Sequence, residues 1–238
     1  MMARAKPPRR GWILRHHAWF KPLGRPEARG GVTAAFSPPD LAGLILWCAT
    51  DGTLWQDSVA TVPVGGDTQP VGRWDDASGG GRHLLQATGG FRPAFYTNIQ
   101  NGRAVVRFDG SDDFLRAVYT QAQPVTIFMV AKATGVSARY SFDGGGGSPG
   151  TAGSLYWAAA NQLRIHAGTA QLATAGTSAL NTWYVWSAIF NGASSGLWQN
   201  GVSLIAANAG ANTTGGFTLG ATTGGSVPEA QDVGEVLI

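Results

Sequence analysis

The sequence predicts an all-β chain: a two-sheet antiparallel jelly-roll sandwich over residues 38–238, preceded by an extended N-terminal arm over residues 1–37. Three observations point there. Glycine is abundant, at 35 of 238 residues, and charge is scarce, at 13%, where a globular chain carries roughly 25%. Short apolar runs follow one another between Gly-, Asp- and Asn-rich turns, as strands joined by tight loops do. No stretch carries the long charged face of a surface helix.

The arm stands apart by charge. Residues 1–37 hold eight Lys or Arg and one acid, whereas residues 38–238 hold nine basic and thirteen acidic residues. The net +3 therefore hides an arm of +7 and a body of −4. No apolar period runs through the arm, so alone it buries too little surface to offset chain entropy, and it is expected to order against a partner. Trp12, Ile13, Leu14, Trp19 and Phe20 are interleaved with Arg9, Arg10 and Arg15. Buried aromatics among cations suit a groove on another protein. The same cations would also contact nucleic-acid phosphates without sequence preference.

The body divides into strands in order. Leu41–Ala49 is an apolar run. Gln69–Trp74 and His83–Gln86 flank an Asp-Ser-Gly turn. Ala104–Phe108 ends at Asp109-Gly110, a strong turn signal. Val125–Lys132 is apolar almost throughout, as in a strand covered on both faces. In Trp183–Phe190, Tyr184, Trp186, Ala188 and Phe190 face one way and the residues between them the other. Asn200-Gly201 between two short runs reads as a two-residue type I′ hairpin. Phe217–Gly220 and Val233–Ile238 supply the late strands.

Other features narrow the class. Cys48 is the single cysteine and can form no internal disulfide. No run reaches the roughly 20 apolar residues of a membrane helix. Gly11–Leu14 is too short for the apolar region of a signal peptide, so synthesis in the cytoplasm without export is expected.

Several segments, in order, resemble one family. Arg73-Trp74-Asp75-Asp76-Ala77-Ser78-Gly79-Gly80-Gly81 is similar to an opening motif of laminin-G-like domains in the concanavalin A-like superfamily. Val106–Leu115, with its Asp109-Gly110 turn, resembles the next stretch. Asn181–Tyr184 and Leu197–Val202 resemble the back half, and Gly234–Ile238 the closing strand. The resemblance covers about residues 40–238. It implies a sandwich of the kind found on phage and bacterial surfaces, with sugar or surface binding and, in many relatives, calcium at loop ends.

Site candidates follow from side-chain chemistry. Glucanases on this fold set two carboxylates facing one sugar. The three glutamates, Glu27, Glu229 and Glu235, have no acidic partner at the needed spacing, and adjacent Asp112 and Asp113 would face opposite ways, so a non-enzyme is expected. His16, His17, His83 and His166 lack zinc spacing. Asp75, Asp76, Asp109, Asp112 and Asp113 are hard oxygen donors suited to calcium. Such turns also use the same carboxylates to cap backbone amides, and both readings stand. The Gly-rich run 143–150 has no following Lys and reads as a loop at one end of the sandwich. For sugars, the candidates are the aromatics Tyr140, Tyr156, Trp157 and Trp198 with the amides Asn161 and Asn200. Of the adjacent Tyr156 and Trp157, strand alternation exposes one. The function expected is a non-catalytic virion protein in a larger assembly, its arm on other virion proteins and its sandwich displayed for glycans. A purely structural decoration or tail protein, and a bacterial carbohydrate-binding module, stay open beside it.

Overall fold

A computed structural model of the chain describes residues 37–135, 138–145, 152–159, 161–168, 172–174 and 178–238. The arm, with Arg9, Arg10, Trp12, Arg15, Trp19 and Phe20, lies outside the described residues, as does 146–150 of the Gly-rich run.

The described residues form two antiparallel sheets that face each other as a jelly-roll sandwich. The strands in chain order are β1 Trp47–Ala49, β2 Leu54–Trp55, β3 Arg73–Trp74, β4 Leu84–Leu85, β5 Ala94–Gln100 and β6 Arg103–Asp109. They continue with β7 Leu115–Ala117, β8 Val125–Ala133, β9 Arg139–Asp143, β10 Ser154–Ala159, β11 Gln162–His166 and β12 Leu172–Ala173. The last are β13 Tyr184–Phe190, β14 Ser195–Gln199, β15 Val202–Ala207, β16 Phe217–Leu219 and β17 Ala230–Leu237. Sheet A runs β15-β14-β13-β8-β17-β6-β5, with β1 also pairing β17. Sheet B runs β12-β11-β10-β9-β16-β7-β4-β3-β2. Helical structure among the described residues is three short 3-10 turns, and no helix there is long and apolar enough to cross a membrane.

Local chemistry explains most boundaries. At Asn200-Gly201 both residues have positive φ, 51° and 80°, as a type I′ turn requires. In β13, Trp186, Ala188 and Phe190 are buried as the alternation predicts. The apolar β8 lies inside sheet A between β13 and β17. The run Leu41–Ala49 is a strand over Trp47–Ala49 alone. Gly43 turns the chain at φ 84°, and the Ile45 and Leu46 amides both donate to the Ile238 carbonyl.

The core fills the space between the sheets. Trp157 of sheet B meets Trp186 of sheet A edge to face at 6.2 Å, a favoured aromatic geometry. Phe142 and Phe217 pair at 5.4 Å beside them. Trp74 is fully buried and donates its Nε1–H to the Ala49 carbonyl at 3.0 Å. Truncating a core tryptophan to alanine costs about 3–5 kcal/mol.

Candidate functional site

The outer face of sheet B carries the aromatic pair best placed for a ligand. Tyr156 lies opposite Tyr140 across β10 and β9, while Leu155 lies opposite Phe142, so β9 holds one extra residue, Ser141. This bulge turns both Ser141 and Phe142 inward and leaves Tyr140 facing out beside Tyr156. Three bonds fix it. Ser141 Oγ accepts Trp157 Nε1–H at 3.2 Å. The Ser141 carbonyl accepts Gln231 Nε2–H at 2.9 Å and the Gly220 amide at 2.9 Å. The two tyrosine rings stand 4.8 Å apart, tilted by 48°. Both are half-buried. Burial, with the Asp143 charge and Tyr156 behind it, pushes the Tyr140 phenol above its ordinary range, so it acts as a neutral hydrogen-bonding group.

The register extends this pair into a row. Arg164 of β11 is opposite Tyr156, and Ala173 of β12 is opposite Arg164. On the other side Pro228 bridges Tyr140, whose amide donates to the Val227 carbonyl at 3.1 Å. Two rings and a guanidinium thus lie side by side on three neighbouring strands of sheet B, β9, β10 and β11.

Trp157 is a correction. Alternation exposes one of Tyr156 and Trp157, and it is the tyrosine, because Trp157 is 2% exposed in the inter-sheet core. Trp198 lies on sheet A, over Gly196, where a Cβ would come within 2.6 Å of the indole. Asn200 sits at the end of the same hairpin and its Oδ1 accepts the Val185 amide at 2.9 Å. Trp198 and Asn200 are therefore in a different sheet from the tyrosines. Asn161 is exposed in the turn after β10, its carbonyl accepting the Ser178 amide at 3.3 Å.

The aspartates fall into two groups. Asp75 accepts Trp55 Nε1–H at 2.9 Å and Arg73 Nε–H at 2.5 Å, and lies 2.9 Å from His83 Nδ1. Burial works to raise the Asp76 pKa, but the amides of Trp47, Ser78 and Arg82 outweigh it and hold the carboxyl below its ordinary value. Asp76 caps the Asp-Ser-Gly turn by accepting the Ser78 and Arg82 amides, and Asp75 ties Trp55, Arg73 and His83 together beside it. Asp109, Asp112 and Asp113 gather separately, their oxygens within 4.8 Å of one another. Burial pushes the Asp113 carboxyl up to about 6, and the neighbouring charges of Asp109 and Asp112 add to it. Asp113 Oδ2 accepts the Asp109 amide at 2.9 Å and Asp109 Oδ1 accepts the Ser111 amide at 2.7 Å. Among the described residues these three carboxylates are the group that could hold a metal ion, and as hard oxygen donors they would suit calcium.

Two buried acids escape a reading by motif. Glu235 is fully buried and accepts Trp47 Nε1–H at 2.7 Å. Glu229 is fully buried beside the Tyr140 row. An apolar cavity lined by Leu41, Ile45, Pro124, Phe128 and Ile238 offers sugar hydroxyls few partners.

No protein-family model and no curated protein matches the chain. Solved structures share its fold. The sialidase of Trypanosoma rangeli in complex with 2,3-difluoro-KDN is 14% identical at a TM-score of 0.57, over 92% of this chain and 33% of that one. The same sialidase with sialic acid gives 14% and 0.52, over 89% and 32%. An alginate lyase of polysaccharide lyase family 7, AlgAT5, gives 14% and 0.43, over 86% and 98%. The chain thus spans about a third of the sialidase's length. The likeness extends to the fold alone, an antiparallel two-sheet sandwich. The expectation of a non-enzyme is corrected: the similar structures include a sialidase, an enzyme, of which this chain spans about a third, so the lack of a glucanase-type carboxylate pair does not exclude catalysis.

Proposed function

We propose that the sandwich is a glycan-recognition module of the laminin-G-like kind, displayed on a phage-like particle to which residues 1–37 anchor it. The Tyr140–Tyr156 pair on the outer face of sheet B carries the glycan reading. A pyranose has a C–H face that packs on aromatic rings and hydroxyl edges that need polar partners. Two tyrosines at 4.8 Å, with a guanidinium one strand away, offer both. The charge division supports the anchor: the arm carries +7 and the rest of the chain −4, and the arm's interleaved tryptophans suit a groove on a virion protein within a larger assembly. Calcium at Asp109, Asp112 and Asp113 belongs to the same proposal, as an ion that stiffens a loop end.

The test is a broad glycan array probed with the full chain and with Tyr156→Ala, Tyr140→Ala and Trp198→Ala variants. Sialylated glycans come first, because a structure sharing the fold holds sialic acid. The expected result is binding that falls at least tenfold in each tyrosine variant and persists in Trp198→Ala. Silence of the wild-type chain across the array would favour a structural decoration or tail protein. Glycan binding without association of the arm with any particle would favour a free carbohydrate-binding module.

A further inference from the structure

Glu229 sits where the tyrosine row meets the end of the sandwich. Its side chain is fully buried. Oε1 accepts the Gly135 amide at 3.2 Å, and Oε2 has no hydrogen-bond partner among the described residues. That amide is shared with the Ala230 carbonyl, which is 3.1 Å away. The Gly135 position is closed to a side chain, since a Cβ there would lie 2.6 Å from Oε1. The backbone of Glu229 is tied as well, its amide donating to the Gly220 carbonyl at 2.7 Å.

Two residues back, Val227 has φ 53°. A β-branched residue in the left-handed region is strained and persists only where its surroundings impose it. Val227 is also the residue whose carbonyl accepts the Tyr140 amide, and Pro228 bridges Tyr140. Residues 227–229 therefore hold one edge of the tyrosine row at one end and are pinned by a buried carboxyl at the other.

The surroundings favour that carboxyl uncharged. Burial pushes it up to about 8, against smaller opposing effects of the Gly135 amide and the Arg139 charge. Arg139 on β9 is the charged group facing it, with the neutral phenol of Tyr140 next along that strand. On β8 and β17, Lys132 and Asp232 pair with each other at 2.9 Å. The 220–229 loop contains no other ionisable side chain.

We infer that Glu229 is the positioning residue of the tyrosine pair: buried without charge it clamps residues 227–229 against Tyr140, and as it ionises the clamp opens. A charged Glu229 is drawn towards water, Val227 relaxes from its left-handed backbone, and Tyr140 loses its carbonyl partner. This rests on the glycan reading for its purpose and on the fold for its mechanics.

The test needs no sugar. In the full chain, the Glu229 side-chain carboxyl is titrated by carbon NMR from pH 6 to 9.5 while hydrogen exchange of the Tyr140 amide is followed, corrected for intrinsic rates. Both transitions are expected at one midpoint. Tyr140 protection should fall roughly tenfold per pH unit as pH rises towards that midpoint and level off above it. Glu229→Gln should keep the protection flat across the range. Protection that stays constant through the Glu229 titration, or a fall of equal size in Glu229→Gln, would overturn the inference. Should the glutamine variant not fold, the coincidence or separation of the two wild-type midpoints decides alone. A silent glycan array beside a coincident titration would sink the sugar reading and leave the clamp standing.

Discussion

Glu229 and Asp232 lie three residues apart on either side of the same chain segment, and they meet opposite fates. Both are buried. Asp232 faces away from the core on sheet A, where Arg107 donates to it at 2.6 and 3.0 Å and Lys132 lies 2.9 Å away. Burial works against its charge, but these two cations prevail and hold it below the ordinary carboxylate value. Glu229, on the sheet B side, has one shared amide and no cation in hydrogen-bond contact, and is pushed up to about 8. Burial alone thus does not fix the state of an acid. The partners that the fold delivers do.

The largest expected effect that would break this contrast is removal of both cations around Asp232. Arg107→Met with Lys132→Met should destabilise the chain by about 3 kcal/mol in urea unfolding, because a buried carboxylate is left alone. Arg107 is 39% exposed, which keeps the loss near the low end of the usual range. A loss below about 0.5 kcal/mol would mean the pair acts as an exposed one.

Next in size is the pH dependence, where the two acids differ in sign. The Asp232 pKa is lowered in the fold, so its contribution is present above the ordinary carboxylate range and fades as pH falls through the folded value. The Glu229 pKa is raised from 4.5 to about 8, so its contribution is fullest below 4.5 and is lost as pH rises towards 8. The stability of Glu229→Gln minus that of wild type should therefore grow across this window, by roughly tenfold in the folding equilibrium per pH unit. A constant difference would place Glu229 in water.

The smallest expected effect lies at the aspartate cluster. Millimolar calcium should raise the Tm by a few degrees through binding to the folded state, and Asp113→Asn should abolish the rise. A rise that survives in the variant would move the ion elsewhere. Asp75 and Asp76 variants should instead lower the Tm with or without calcium, since Asp76 caps the turn and Asp75 holds the Trp55 indole and Arg73.

The fold was legible where local chemistry decides. Asn200-Gly201 announces its hairpin, the period of β13 its buried face, and the apolar run of β8 its place inside a sheet. Leu41–Ala49 was half legible, because an apolar run does not reveal that Gly43 turns it or that Ile238 takes its amides. The site was less so. Alternation at Tyr156-Trp157 tells that one is exposed, but which one depends on the sheet opposite, where Trp186 waits for the indole. The bulge at Ser141 carries no turn residue and is held by Gln231, 90 residues away. Trp198 and Asn200 share the tyrosines' chemistry but not their sheet. Glu229 has no motif, and its burial is set by β8, β9 and the 220–229 loop together.

The most direct measurement follows the side-chain NMR signals of Tyr140, Tyr156 and Trp198 during titration with sialyllactose and a panel of neutral oligosaccharides. One of these sugars is expected to shift both tyrosine rings together while the Trp198 indole stays still. Shifts at Trp198 with unmoved tyrosines would contradict the assignment of the sheet B face as the place where this chain meets its ligand.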